Sequence, residues 1–229
     1  MKAVHLSPCL EVKIPINGKV ELTGELTIPE HAVGLVIFAH GSGSSRKSPR
    51  NRWVAEVLNQ YRLATLLTDL LTDEEAANKQ NIYDVEFLSG RVEQIVYWSK
   101  QRTDVNSLPL GLFGASTGAA AAIITAAKNP DLLSGVVSRG GRIDLAHEFL
   151  NKLRTPVLAI VGGKDELVVK LNREALFKVL APHRLVIIPG ATHLFEEAGC
   201  LEHVAEYSCD WFIDLFTVPK RTQGVGFGR

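Results

Sequence analysis

Six near-continuous apolar runs constrain this chain more than any other feature: "VGLVIFAH", "LATLLTDLL", "PLGLFGAS", "LSGVVSRG", "PVLAIVGG" and "RLVIIPG". None alternates polar and apolar residues as a half-solvated strand does, so each reads as a strand covered on both faces, the pattern of parallel sheet. Parallel neighbours need crossover connections, and helical periodicity fills the gaps between the runs. Trp53, Val54, Val57, Leu58 and Tyr61 recur at helical spacing behind Ser48 and Pro49, a cap residue followed by a first-turn proline. Leu201, Val204, Ala205, Ser208, Trp211, Phe212 and Leu215 do the same near the C-terminus. Further helices are expected near 84–101, 117–128, 144–153 and 170–181. Ahead of them, "EVKIPINGKVELTGELTIPE" alternates about Asn17-Gly18, a strong hairpin signal. The expected fold is therefore α/β: a three-layer α/β/α sandwich around an eight-stranded, mostly parallel sheet, a single domain over 1–217 with a glycine-rich, basic tail over 218–229.

Charge narrows the function classes. Lysine plus arginine and aspartate plus glutamate both number 25, so there is no global basic footprint for nucleic acid or an anionic membrane. No run approaches the roughly 18–20 apolar residues of a membrane span, and Pro8, Glu11, Lys13 and Pro15 interrupt the apolar stretches at the N-terminus. Cys9, Cys200 and Cys209 are odd in number and lack metal or redox spacing. Cytoplasmic location, no cofactor, no metal, a small-molecule partner and a monomer or homodimer are the expectations.

In open parallel sheets, ligands collect at the carboxyl ends of the strands. Three reactive side chains fall there: Ser116 within "GASTG", Asp165 after "PVLAIVGGK", and His193 in "PGATHLFEE". Their order, Ser, Asp, His, is that of hydrolases with a nucleophile elbow, in which a sharp strand-to-helix turn lifts the serine clear of the sheet. Gly114 and Gly118 remove side chains that such a turn would bring into collision. Ala119 to Ala122 let the following helix approach the sheet, and its N-terminus offers positive potential. The backbone N–H groups of Thr117 and Ser42, with Gly41 the next choice, are the expected oxyanion donors.

At these residues the chain resembles the α/β-hydrolase superfamily and, more narrowly, dienelactone hydrolase-like proteins. The resemblance spans about residues 10–216 and rests on "HGSGSS", "GASTG", "VGGKDELV" and "PGATHLFEE". One position departs from it: dienelactone hydrolases use a cysteine nucleophile at the elbow, and this chain has Ser116. The resemblance thus implies a serine esterase acting on small esters, lactones or thioesters, with Ser116, Asp165 and His193 as its triad.

Competing assignments exist for each group. Ser116 could be a helix cap and Asp165 a cap or turn residue, with Asp144 the rival acid and Glu166 a weaker one. His183 precedes the last strand and sits at the wrong end of the sheet, His203 lies within a helix, and His40 is expected to hold its loop by hydrogen bonds. Arg139, Arg142 and Arg46 follow strands whose ends border the crevice and are candidates to bind an anionic substrate group, against the alternative of ordinary surface pairing. Only 14 residues, 142–155, separate the sixth strand from the seventh, too few for a helical lid. The same pocket could also serve a non-catalytic ligand-binding protein, or an acyltransferase or perhydrolase.

Overall fold

The computed structural model describes residues 7–217, so the expected tail lies outside the described residues, as do residues 1–6. The hairpin forms as its turn residues dictate. Asn17 and Gly18 both adopt positive φ, 49° and 65°, and with Lys19, whose N–H donates to the Ile16 carbonyl at 3.2 Å, they make a three-residue loop. They join β1 (Cys9–Ile16) to β2 (Val20–Thr27) in antiparallel register.

β2 docks antiparallel on β4 (Leu63–Thr68). From there the sheet is parallel through β3 (Gly34–Ala39), β5 (Leu110–Ala115), β6 (Leu133–Arg139), β7 (Val157–Gly162) and β8 (His183–Ile188). The order across the sheet is β1-β2-β4-β3-β5-β6-β7-β8. Every residue of β3, β4, β5 and β7 is buried, which is why these strands read as unbroken apolar runs.

Two helices cover one face and three long ones the other. α1 (Pro49–Gln60) begins at Ser48, whose hydroxyl accepts the Asn51 N–H, and carries Pro49 in its first turn. With α7 (Cys200–Thr217) it packs Val54, Leu58, Val204 and Phe212 onto Val36, Phe38, Phe113 and Val137. On the opposite face α4 (Val85–Gln101), α5 (Thr117–Lys128) and α6 (Glu166–Leu176) cover Leu35, Ile37, Leu112 and Val136. Strand residues alternate between these two cores, so one polar substitution in a central strand would be buried whichever way it pointed.

Two expectations are corrected. The segment 144–153 is not an α-helix but two 3₁₀ turns, Ile143–Ala146 and Leu150–Lys152. Ile143, Ala146, Leu150 and Leu153 are all buried, so the helical spacing reports real burial. The same short segment must also run from the end of β6 back to the start of β7, and a 3₁₀ turn advances about 2.0 Å per residue against 1.5 Å for an α-helix. The helix expected over 170–181 starts earlier, at Glu166. Between β4 and α4 the chain carries two five-residue helices, α2 (Asp73–Ala77) and α3 (Lys79–Tyr83), the first closed by a reciprocal Thr72–Glu75 cap.

α7 lies close because the strands beneath it lack side chains where it crosses. A Cβ at Gly111 would stand 2.4 Å from the Phe212 ring, and one at Gly135 would stand 2.3 Å from Leu215. Phe212 is fully buried and has nowhere to retreat. Gly111→Ala is therefore expected to destabilise the protein by about 1–3 kcal/mol in urea unfolding, the usual cost of overpacking; a loss below about 0.5 kcal/mol would contradict this packing.

Candidate active site

The chain passes from β5 to α5 in one residue, Ser116, at φ 52° and ψ −121°. A left-handed φ is strained for a residue with a Cβ, and such strain persists only where surrounding contacts over-determine it. Here they do. The Ser116 N–H donates to the Arg139 carbonyl at 3.2 Å, and the Ser116 carbonyl accepts from Arg142 N–H at 3.0 Å and Ala119 N–H at 3.1 Å. A Cβ at Gly118 would fall 2.3 Å from the Ala39 carbonyl oxygen and 2.4 Å from that of His40, and one at Gly114 would fall 2.4 Å from the Ala119 Cα. The two glycines thus let helix and strand backbones meet. The serine side chain makes no capping bond to α5, so the competing role of helix cap does not apply.

Asp165 and His193 are brought together by their loops. Gly163 N–H donates to the Ile188 carbonyl at 2.8 Å and Lys164 N–H to the Ala191 carbonyl at 2.9 Å, joining the turn after β7 to the turn after β8. A side chain at Gly162 would stand 2.5 Å from the carbonyl oxygens of Ala191 and Thr192. Phe195, at φ 59° and 1% exposed, anchors the histidine loop in the core. Sequence reasoning missed this anchor, although an apolar residue two positions beyond the histidine was its visible sign. The result is a hydrogen bond of 2.6 Å between His193 Nδ1 and Asp165 Oδ2, with the carboxylate well covered and the ring 40% exposed. Asp165 precedes α6 but makes no side-chain cap; its carboxylate is spent on the imidazole. With Nδ1–H donating to Asp165, the Nε2 lone pair is left free to take a proton.

Ser116 and His193 flank a single turn. Arg139 receives the Ser116 N–H, and at the next residue, Gly140, an added Cβ would lie 3.5 Å from the His193 ring. No hydrogen bond among the described residues joins the Ser116 hydroxyl to the imidazole; the bond that is formed pairs the acid with the histidine.

The loop after β3 touches the same serine. A Cβ at Gly41 would come within 3.0 Å of the Ser116 Cβ. The N–H of Ser42 does not point into open space, however; it donates to Thr117 Oγ1 at 2.8 Å, so the threonine hydroxyl must turn away before that N–H can serve a substrate oxygen. Beside the loop lies a cavity of about 190 Å³ lined by Gly41, Ser42, Arg46, Leu71, Ile82 and Leu88. It is small against the several hundred Å³ of drug-sized sites. Neither Ser116 nor His193 lines it.

The rival residues are accounted for. Asp144 holds Arg142 through two bonds of 2.9 Å, and the histidine bonds Asp165 rather than Asp144. The pairing holds the Arg142 guanidinium above its ordinary value. Arg46 is likewise engaged, with Asp69 and Glu25. His183 begins β8, and His203 lies in α7. Arg139 alone of the three candidate arginines has no carboxylate among the described residues.

His40 bridges two loops: its Nε2 accepts the Leu70 N–H at 3.1 Å, and its Nδ1 donates to the Gly41 carbonyl at 2.9 Å. This arrangement requires the neutral ring. Burial pushes the His40 pKa below the ordinary histidine value, outweighing the Gly41 bond and the charge of Asp69. The unfolded chain then binds the proton more readily, so this stability is full above about pH 6.5 and is lost as the pH falls through the lowered folded value. Wild-type protein should accordingly lose more stability between about pH 7.5 and 5 than His40→Gln, measured by urea unfolding at both ends; equal losses would contradict the assignment.

Known proteins share this fold. Residues 63–214 match the family model described as "Dienelactone hydrolase family". The crystal structure of a dienelactone hydrolase from Anabaena variabilis superposes with a TM-score of 0.89 at 47% identity, covering 92% of this chain and 99% of that one. Est1E from Butyrivibrio proteoclasticus superposes at 0.78 with 18% identity over 91% and 99% of the two chains, a likeness of fold alone. Two curated Mycobacterium tuberculosis proteins, provisionally named phosphoribosyl transferases, are 52% identical over 209 residues, 91% of this chain and 47% of theirs. The chain therefore spans about half the length of the curated relatives it matches. The family match over residues 63–214, with 47% identity to the Anabaena variabilis protein over 92% of the chain, shows that the chain belongs to the dienelactone hydrolase family.

Proposed function

We propose that the protein is a serine hydrolase that cleaves small carboxylic esters, lactones or thioesters through an acyl-enzyme. The observation that carries this reading is the pairing of His193 with Asp165 at 2.6 Å beside a serine forced to φ 52°. A merely structural serine has no need of such a turn.

In this mechanism the Ser116 Oγ attacks the carbonyl carbon while His193 Nε2 takes the hydroxyl proton. Asp165 holds the ring by its Nδ1–H and stabilises the imidazolium. The carbon–oxygen (or carbon–sulfur) bond to the leaving group then breaks, and the leaving group departs with that proton. Water, deprotonated in turn by His193, releases the acid and restores the serine. The developing oxyanion takes the Thr117 N–H at the start of α5 and, once the Thr117 hydroxyl has rotated, the Ser42 N–H. The segment between β6 and β7 is short and carries only two 3₁₀ turns, which favours a small, accessible substrate.

The name of the mycobacterial relatives favours a second reading, participation in phosphoribosyl transfer. Those proteins are about twice as long, and more than half of each lies outside the matched part. Hydrolysis is the reading we prefer for the shared part, because the family match and the serine turn both lie within it. Release of pyrophosphate from phosphoribosyl pyrophosphate by this chain alone, without ester cleavage, would reverse the preference.

Short p-nitrophenyl esters test the proposal. Ser116→Ala should abolish turnover and fluorophosphonate labelling while unfolding remains cooperative; labelling elsewhere, or appreciable residual turnover, would refute it. Asp165→Asn should lower kcat by about 10²–10⁴-fold, whereas Asp144→Asn should leave most of the activity; the reverse ranking would move the acid to Asp144.

A further inference from the structure

The loop after β3 carries the Ser42 N–H, yet little within the loop fixes its course. Gly41 and Gly43 stand on either side of that residue, Gly43 at φ 70°, and a single backbone bond turns the middle, from Ser44 N–H to the Gly41 carbonyl at 3.2 Å. Glycines widen the range of conformations open to a loop. What narrows the range here lies at the two ends, His40 and Arg46.

Both ends are held by the two residues that follow β4, Asp69 and Leu70. At the first end the Leu70 N–H donates to His40 Nε2 at 3.1 Å. At the second, Asp69 accepts twice from Arg46: Oδ1 takes the main-chain N–H at 2.9 Å, and Oδ2 takes the guanidinium. Asp69 is itself fixed, its N–H donating to the Thr23 carbonyl at 3.1 Å. β3 and β4 lie side by side in parallel register, Phe38 against Leu67, so His40 reaches Leu70 by simple continuation of the two strands. Arg46 does not. Six residues after His40 the chain must come back to the same strand end, and the Asp69 carboxylate is the acceptor that meets it there.

The two roles of that carboxylate are separable. Glu25 on β2 also lies 3.6 Å from Arg46 Nε, and it takes Arg52 of α1 through two further bonds. The Arg46 guanidinium therefore keeps a counter-charge if Asp69 is neutralised, whereas the Arg46 main-chain N–H has no other acceptor among the described residues. Both side chains of the pair are largely buried, at 18% and 17% exposure, where a charge-assisted bond to a backbone N–H is strong.

We propose that Asp69 is a positioning residue for the oxyanion site: by holding the Arg46 N–H it closes the loop and sets where the Ser42 N–H stands against Ser116. As a statement about catalysis this rests on the hydrolase reading; as a statement about the loop it does not. Position, not charge, is the property that matters. Asp69→Asn keeps an oxygen in place for the Arg46 N–H, while Asp69→Glu keeps the charge and displaces the oxygens by a methylene.

Short p-nitrophenyl esters give the kinetic test, with kcat expressed per Ser116 labelled to completion by a fluorophosphonate so that unfolded molecules are not counted. Asp69→Ala should lower kcat by about 10–10²-fold, short of the full loss of an oxyanion donor, with KM within about twofold of wild type. Affinity for a small alkyl boronic acid, whose tetrahedral adduct on Ser116 puts an oxygen where the oxyanion forms, should fall by the same factor as kcat. Asp69→Asn should retain more activity than Asp69→Glu, a ranking that decides the matter even if Asp69→Ala fails to fold. Glu11→Gln, which removes a 63% exposed carboxylate 3.9 Å from Arg46, should leave kcat unchanged. Normal kcat per labelled site in Asp69→Ala and Asp69→Glu, a rise in KM alone, or Glu outperforming Asn would overturn the proposal. Hydrogen exchange supplies a readout without turnover: amides of residues 41–46 should exchange about tenfold faster or more in Asp69→Glu, with the loops after β7 and β8 unchanged. Unchanged exchange across 41–46 would also overturn it. A wild-type protein that hydrolyses nothing while its variant shows the faster exchange refutes the hydrolase reading alone.

Discussion

The turn from β5 into α5 can be made only because the α5 backbone at Gly118 comes against the carbonyl oxygens of Ala39 and His40, where a Cβ would stand 2.3 and 2.4 Å away. That approach sets everything near it. It presses the end of β3 against the start of α5, so the loop that follows β3 touches Ser116. It forces Ser116 into a left-handed conformation and turns its side chain off the sheet instead of into a strand face. It also points the N-terminus of α5, with its unpaired N–H groups, at the same place. The alanines from 119 to 122, all fully buried, let the helix lie this close along its whole first half.

A second constraint works from the other side. The loops after β7 and β8 are joined by backbone bonds from Gly163 and Lys164, and Phe195 fixes the histidine loop in the core. His193 and Asp165 are 28 residues apart in sequence, yet their contact needs no long-range adjustment, because adjacent parallel strands deliver them to neighbouring turns. The hydroxyl and the imidazole, by contrast, come from β5 and β8, with two strands between them. The structure is tightest where the strands are adjacent and loosest where they are not.

Much of this was legible in the sequence, for a physical reason. Strands buried on both faces must be apolar throughout, so β3, β4, β5 and β7 declare themselves; β8, at the sheet edge and half exposed, still keeps the apolar run of its inner end, and Asn17-Gly18 declares the hairpin. Gly114 and Gly118 are legible because only glycine tolerates such backbone approaches. What stayed hidden depends on partners far away in sequence. The spacing of Ile143, Ala146, Leu150 and Leu153 reports burial but not the distance the chain must cover, so 3₁₀ turns read as a helix. Arg142 and Arg139 look alike on paper, three residues apart; one finds Asp144 two positions away, and the other is carried under α1 to face Arg50. The bond between Ser42 N–H and Thr117 Oγ1, 75 residues apart, has no local sign at all.

The central claim is that the Ser116 hydroxyl, the His193–Asp165 pair and the two N–H donors act on one carbonyl. A crystal structure of the protein after reaction with a small alkyl fluorophosphonate tests it most directly. The account predicts phosphorus bonded to Ser116 Oγ and His193 Nε2 within about 3.2 Å of an adduct oxygen. It also predicts a phosphoryl oxygen held by the N–H groups of Thr117 and Ser42, with the Thr117 hydroxyl turned away. An adduct on another residue, or an imidazole still without contact to the modified serine, would contradict it.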